Sequence, residues 1–258
     1  MIWIEYALTG LFAGFLAGYL GIGGGLVLVP ALSWLFSRDP ALAGMAVQMA
    51  VATSLATMLF TSMSSILAHH RRRAILWSLV RRMIPGLLAG ALLGSFIADR
   101  IGNTALGYVF GVFALSVGLQ MLRGTGQPGS RPLPGRIAIT TTGFGIGTIS
   151  SLLGIGGGSL TVPWLLWHQQ RVQNAIATAA ACGYPIAIAG TLGFVLLGDS
   201  HATALTLGYV HLPALAGVAL FSVFGAPLGA AAVHRSSPLL AKRFFAVFLL
   251  VVAAKMLL

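Results

Sequence analysis

Charged residues are scarce in this sequence, with only 7% of its 258 residues being Asp, Glu, Lys or Arg. A soluble globular domain carries roughly 25% charged residues, because it must cover its surface with polar groups in water. The hydrophobic content is 57%, and apolar runs of about 20 residues recur along the chain. These features predict an all-α integral membrane protein and exclude a soluble domain.

Cysteine is nearly absent, since Cys182 is the only one. A single cysteine excludes an internal disulfide and a four-cysteine metal site. There is no H-E-x-x-H metal motif, and Ser54 has no dyad partner at a recognisable spacing. We therefore expect a protein that is not an enzyme and needs no metal or cofactor. The first five residues lack a basic signal region, so we expect them to remain in the first membrane segment.

Acidic residues are also rare, and all of them fall at the ends of predicted segments. They are Glu5, Asp39, Asp99 and Asp199. No carboxylate is therefore predicted at the membrane midplane, where a proton relay would need one. Proton coupling would have to use His211 or the bound anion itself, although a histidine at this position more readily caps a helix or lies at the interface. Voltage-driven export and symport both stay open.

The formal net charge of +11 would suggest a nucleic-acid partner in a soluble protein. Here the basic residues gather in short loops, most densely at His69–Arg73, as the positive-inside rule requires. We expect these loops to lie in the cytoplasm and to contact anionic membrane lipids. No nucleic-acid partner is expected.

Glycine, by contrast, is abundant, and it forms two nearly identical runs. The string Leu-Gly-Ile-Gly-Gly-Gly occurs at residues 20–25 and again at 153–158, and a proline follows each copy at the same distance. This duplication predicts two homologous halves, residues 1–122 and 137–258, joined by a polar cytoplasmic linker at 123–136. Each half is predicted to contain a glycine-broken hairpin and three transmembrane helices. The hairpins cover residues 4–36 and 137–167. Among the other segments, the sequence predicts helices at Met83–Ala98, Val172–Leu197 and Tyr209–Val233, and a turn at Asp99–Asn103.

The piece after each glycine run is too short to span a membrane. Leu26–Phe36 reaches only about 17 Å, against about 30 Å for the hydrocarbon core. If the basic loops all lie inside, each hairpin must enter and leave on the same face, and the halves are inverted repeats. If both broken segments instead crossed the membrane, the halves would be parallel and the basic loop at 234–243 would lie outside. The charge distribution favours re-entrant hairpins in inverted repeats.

Non-helical backbone at membrane depth is tolerated where it is buried in protein or lines a polar cavity. Two inverted breaks would meet near the midplane and point two helix N-termini at one place, which suits an anion. The alternative is that the glycines only permit close helix packing, as we predict for Gly86, Gly90 and Gly94. Packing alone does not explain three consecutive glycines before a half-length helix. Broken helices also offer carbonyl ends to cations, so a cation or sulfur-relay channel is the main rival.

The candidate substrate-binding residues are the glycines of the two breaks and neutral polar residues on the helices that follow them. They are Gly23, Gly24, Gly25, Gly156, Gly157, Gly158, Ser159, Gln48, Thr53, Ser54, Asn174, Thr178 and Cys182. Any single hydroxyl among them could instead bond to its own preceding helical turn. Cys182 could equally be a small core residue.

Several motifs resemble the TauE/SafE family of sulfite and organosulfonate exporters. They are the doubled Gly-Ile-Gly-Gly-Gly followed by proline, Ala50–Ser54 with the basic loop after it, and Gly208–Leu212 before Pro213. The resemblance covers essentially the whole chain. The second half departs from the family pattern at one point, where Ala179 stands opposite Ser54. It implies a multi-pass protein of the bacterial inner (cell) membrane.

The substrates that the resemblance implies are small sulfur-containing anions such as sulfite, thiosulfate or sulfoacetate, carried by alternating access. A channel-like uniporter of another small anion or sulfur species remains an alternative, as does an assembly subunit that transports nothing. The sequence does not determine the oligomeric state, and it is compatible with a monomer.

Overall fold

The computed structural model describes residues 2–20, 24–123, 132–198, 205–233 and 238–257. Within these ranges the chain forms nine α-helices and one two-stranded hairpin. The helices are α1 Ile2–Leu20, α2 Gly25–Phe36, α3 Ala46–Arg71, α4 Trp77–Arg123, α5 Arg136–Leu153, α6 Gly158–Trp167, α7 Val172–Leu197, α8 Leu212–Val233 and α9 Pro238–Leu257. The antiparallel strands are β1 Thr206–Leu207 and β2 Val210–His211.

Three helical stretches are long and apolar enough to cross a membrane: Ala43–Arg71, Trp77–Arg123 and Val172–Leu197. Shorter apolar helices include Gly25–Phe36 and Leu212–Gly225. The prediction of an all-α, multi-pass membrane protein is confirmed. Most of the predicted linker, at 124–131, and the loop at 234–237 lie outside the described residues, as do Gly23 and Asp199.

The helix α4 is interrupted where the sequence predicts a turn. Gly102 has φ 77° and ψ 173°, outside the helical region, so α4 consists of two segments that meet there. Asn103 fastens this corner to the start of α3, because its Oδ1 accepts a hydrogen bond of 2.7 Å from the Val47 amide. The predicted turn at Asp99–Asn103 is confirmed, although α4 begins at Trp77 rather than at Met83.

The predicted start of α8 at Tyr209 is wrong. The helix begins at Leu212, and the residues before it form the β1–β2 hairpin. Gly208 in the turn has a left-handed φ of 56°, which cannot continue a right-handed helix. His211 then caps α8, since its Nδ1 accepts a hydrogen bond of 3.2 Å from the Ala214 amide. The capping interpretation of His211 is confirmed.

The long helices α3 and α7 pack against each other in the centre and run antiparallel. A Cβ added to Gly190 would lie 2.9 Å from the Leu55 side chain, and one added to Gly183 would lie 3.5 Å from the Ser62 hydroxyl. From the Gly183 contact to the Gly190 contact, the residue number rises along α7 and falls along α3. Each helix therefore begins beside the end of the other.

One hydrogen bond near the start of each of these two helices holds it to a neighbouring segment. The hydroxyl of Thr53, near the start of α3, accepts a bond of 3.1 Å from the His211 amide before α8. The hydroxyl of Thr178, near the start of α7, accepts a bond of 3.1 Å from the Leu76 amide before α4. The first bond thus fastens α3 to the segment that precedes α8 in the other half. The second fastens α7 to the segment that precedes α4.

Glycines bring the remaining helices into backbone contact across the halves. On α4, Cβ atoms at Gly86, Gly90 and Gly94 would overlap the carbonyl oxygens of α5 at Thr140, Phe144 and Thr148. The pair α1 and α8 has the same contact, because a Cβ at Gly225 would overlap the Leu11 carbonyl. The predicted packing role of the α4 glycines is confirmed.

Candidate functional site

The described end of the first glycine run lies against the second run. Gly25, the first residue of α2, is so close to the second break that an added Cβ would overlap the Gly154 carbonyl oxygen. The same Cβ would lie 2.8 Å from the Cα of Ile155. Gly154 ends α5 with a left-handed φ of 65°, which favours glycine. Gly25, at the end of the first run, therefore meets the start of the second run inside the protein.

The Met58 side chain lies between the two breaks. Its methyl group is 2.6 Å from the Cβ position of Gly25, and its sulfur is 3.5 Å from the Cβ position of Gly156. Met58 is only 3% exposed. An unbranched thioether with three rotatable bonds fills irregular gaps and changes conformation readily. Met58 thus occupies the space that a ligand shared by both breaks would need.

Both short helices begin at these glycines with their N-termini inside the protein. The carbonyl of Gly24 accepts the amides of Val27 and Leu28 at 3.0 and 2.9 Å, which starts α2. The carbonyl of Gly157 accepts the amides of Leu160 and Thr161 at 3.3 and 2.7 Å, which starts α6. The amides of the first two residues in each helix precede these bonds, and such free amides give a helix end a partial positive charge.

Ser54 is the predicted hydroxyl that touches a break directly. Its Oγ donates a hydrogen bond of 2.8 Å to the carbonyl of Gly154. Ser54 is fully buried and ties α3 to the point where α5 ends. This bond occupies the Gly154 carbonyl at the second break.

The other predicted residues on the long helices lie in different surroundings. Gln48 donates its side-chain amide to the carbonyls of Ala98 and Asp99, at 3.2 and 3.3 Å, beside the kink in α4. Thr53 and Thr178 hold loop amides, as described above, and Asn174 is half-buried in the first turn of α7. Cys182 is fully buried, and its sulfur lies 3.9 Å from the sulfur of Met83. These contacts occupy the polar groups of Gln48, Thr53 and Thr178 within the protein.

Several buried hydroxyls have no hydrogen-bond partner among the described residues, and all but one, on α7, belong to α5 and α6 on either side of the second glycine run. They are Ser150, Ser151, Ser159, Thr161 and Thr191. Of these, only Ser159 is predicted from the sequence. Comparing the two glycine runs would have found Thr161, because it follows the second run where Leu28 follows the first. No sequence signal points to Met58, which reaches the site through the packing of α3 alone.

The charged groups that the structure describes lie away from the breaks. Arg38, just after α2, pairs with Glu5 near the start of α1 at 3.4 Å, and both side chains are exposed. Asp99 accepts a hydrogen bond of 2.8 Å from the Tyr209 hydroxyl at the α4 kink. Among the described residues no group of three or more His, Cys, Asp or Glu could hold a metal ion. The breaks are lined by backbone, hydroxyls and apolar side chains.

Comparison with known proteins identifies the family of this chain. The model of the sulfite exporter TauE/SafE family matches residues 6–256. A probable membrane transporter protein of Haemophilus influenzae is 32% identical and covers 97% of this chain and 96% of its own length. The probable membrane transporter protein YunE of Bacillus subtilis is 25% identical, covering 77% of this chain and 80% of its own.

A third relative is archaeal. The probable membrane transporter protein MJ0441 of Methanocaldococcus jannaschii is 26% identical and covers 90% of this chain and 86% of its own length. No solved structure matches the chain at a significant level.

Proposed function

Since this chain belongs to the sulfite exporter TauE/SafE family and is a membrane transporter, we propose that it exports small sulfur-containing anions. The substrates in this proposal are sulfite, thiosulfate or an organosulfonate such as sulfoacetate. The anion binds between the N-termini of α2 and α6. One observation carries the proposal: Gly25, the first residue of α2, packs directly on Gly154 and Ile155, which lie just before α6 begins at Gly158. Neutral amide donors at buried helix N-termini are suited to a dehydrated oxyanion.

Contacts at the helix ends support re-entrant hairpins in inverted repeats. The ion pair of Glu5 with Arg38 joins the start of α1 to the end of α2, as expected of a hairpin that enters and leaves on one face. The antiparallel packing of α3 and α7 is expected of inverted copies, and parallel copies would run in the same direction. In this arrangement the protein resides in the bacterial inner membrane with the basic loops in the cytoplasm.

The same symmetry suggests how access alternates between the two sides. In the inverted arrangement the Thr53–His211 bond lies toward the outer face and the Thr178–Leu76 bond toward the cytoplasmic face. Opening one bond while keeping the other would expose the breaks to one side only. Met58 closes the space between the breaks when no anion is bound. This mechanism needs an outward-open and an inward-open state of similar structure. Inverted repeats supply them, because the interfaces toward the two faces are equivalent.

Voltage, rather than a proton gradient, is the proposed driving force. The described carboxylates lie at helix ends, and the His211 ring caps the start of α8. Burial lowers the pKa of His211, which outweighs the opposing effect of Asp39. His211 is therefore neutral at neutral pH and has its Nδ1 occupied by an amide. A negative interior drives a monovalent anion outward with about 2.3 kcal/mol per 100 mV.

Purified protein in liposomes tests this proposal. We expect efflux of methanesulfonate, a sulfonate whose single charge does not change near neutral pH, to increase with an inside-negative potential and to be unchanged by a pH gradient imposed at zero potential. Efflux that follows the pH gradient and ignores the potential would contradict voltage-driven export. Cation flux in place of methanesulfonate flux would favour the channel alternative, and flux of no ion would favour an assembly subunit.

A further inference from the structure

The two glycine runs are alike in sequence, but the residues that follow them differ in polarity. After the first glycine run the chain continues Leu26-Val27-Leu28, and after the second it continues Ser159-Leu160-Thr161. Ser159 therefore occupies the position of Leu26, and Thr161 that of Leu28. Both leucines are buried in the apolar core. The second half thus places two hydroxyls where the first half has only hydrocarbon.

These two hydroxyls have no partner among the described residues. Thr161 is fully buried, and its Oγ1 makes no hydrogen bond. This oxygen lies 3.2 Å from the position of a Cβ on Gly157, so it is turned toward the N-cap of α6. The Oγ of Ser159 is likewise buried and unpaired. A buried polar group left unsatisfied costs about 1–3 kcal/mol, and a ligand at the start of α6 would remove that cost.

The unpaired hydroxyl of Ser151 points elsewhere. Ser151 lies in the last turn of α5, and its side chain faces the Cβ positions of Gly94 and Gly190 on α4 and α7. Its oxygen is 2.8 Å from the Gly190 position, inside the helix packing. Ser151 is therefore not part of the group at the start of α6. That group consists of the first amides of α6 with Ser159 and Thr161, whose side chains are two residues apart and leave the helix on different sides of these amides.

The surroundings of this group are uncharged. The atoms nearest to Cβ positions on Gly156 and Gly157 belong to Met58, Ile186, Thr161 and Gly183. Amides and hydroxyls can stabilise a single negative charge at a helix N-terminus. Transfer of an ion into a low-dielectric interior costs tens of kcal/mol in the Born model, and this cost rises with the square of the charge. Without a neighbouring cation, a doubly charged anion is strongly disfavoured.

We propose that Ser159, Thr161 and the first-turn amides of α6 form an asymmetric cradle that binds a monovalent sulfur oxyanion. The second break holds the substrate, and the apolar first break with Met58 closes over it. The proposal rests on the transport function proposed above and deepens it, since it names the binding half and the charge of the substrate. Organosulfonates with one charge and hydrogen sulfite belong to this class. Sulfate, thiosulfate and sulfoacetate carry two charges at neutral pH and do not, so the cradle narrows the substrates proposed above.

The test compares Ser159→Ala and Thr161→Val with the wild type, using methanesulfonate and sulfate as probes. Calorimetry measures Kd, and thermal unfolding without ligand measures stability. We expect each variant to weaken methanesulfonate binding at least tenfold, because a hydrogen bond to a charged group is lost. Stability without ligand should be unchanged or higher, because an unsatisfied hydroxyl has been removed. A hydroxyl with a purely structural role would lower stability when removed.

Thr148→Val is the matched control, because the Thr148 hydroxyl bonds to the Phe144 carbonyl 2.9 Å away on the exposed side of α5. Its Kd should equal that of the wild type. If the wild type binds methanesulfonate and both cradle variants bind it equally well, the cradle is overturned while the transport proposal stands. Sulfate binding as tight as methanesulfonate binding would overturn the selection for one charge. A wild type that binds neither these probes nor sulfite would overturn the transport proposal itself.

Discussion

A Gly25→Ala substitution is expected to abolish sulfite transport. The added Cβ would overlap the Gly154 carbonyl oxygen and approach the Ile155 Cα at 2.8 Å. Both atoms belong to backbone, which cannot move aside as a flexible side chain could. Separating α2 from the second break removes the shared location of the two helix N-termini. We expect an additional loss of stability of about 1–3 kcal/mol from overpacking.

Gly44→Ala is the control for this variant, since a Cβ at Gly44 meets nothing within 4 Å. Sulfite flux into liposomes should match the wild type for Gly44→Ala and be undetectable for Gly25→Ala. Thermal unfolding of both proteins shows whether Gly25→Ala still folds. A folded Gly25→Ala protein that transports sulfite at the wild-type rate would contradict the contact between the breaks as the basis of transport.

Gly90→Ala and Gly225→Ala are expected to destabilise the protein by similar and large amounts. A Cβ at Gly90 would overlap the Phe144 carbonyl and lie 2.9 Å from the Thr148 amide. A Cβ at Gly225 would overlap the Leu11 carbonyl and lie 2.8 Å from the Phe15 amide. If the halves are repeats, these contacts are equivalent. Each substitution should cost about 1–3 kcal/mol.

Thermal unfolding measures this cost, and Gly145→Ala provides the matched control. Gly145 is inside α5, where a Cβ meets nothing within 4 Å. Alanine there should raise stability, since glycine is about 1 kcal/mol less favourable in a helix interior. A large loss for one of Gly90→Ala and Gly225→Ala with none for the other would contradict the equivalence of the two interfaces.

Much of the fold follows from composition and spacing. The apolar runs and the glycine strings predict the helices and where they break, because membrane helices must satisfy their own backbone hydrogen bonds. Val172–Leu197 is predicted to the residue. The start of α4 is missed because Arg81 and Arg82 look like loop residues, yet on an exposed helix surface they cost little. The start of α8 is missed because two-residue strands leave no periodic pattern.

The candidate site is less predictable than the fold. The glycine strings identify the breaks, and repetition alone suggests that they meet. The rotation of each long helix about its axis decides which neutral side chains face the breaks. The positions of polar residues in an apolar helix do not reveal that rotation. Thr53 and Thr178 hold loop amides instead of facing an open space. Met58 is an ordinary apolar residue in the sequence, and only the packing of α3 places it between the breaks.

The central claim is that the two breaks form one anion site, and the stoichiometry of sulfite binding tests it most directly. Calorimetry on purified wild type, Gly24→Val and Gly157→Val measures sulfite bound per chain, with thermal unfolding confirming that each variant folds. The account predicts one sulfite per wild-type chain and no binding in either variant, because a bulky side chain at either helix start blocks the shared location. Undiminished binding in both folded variants, or two sulfites per chain with one lost in each variant, would contradict it.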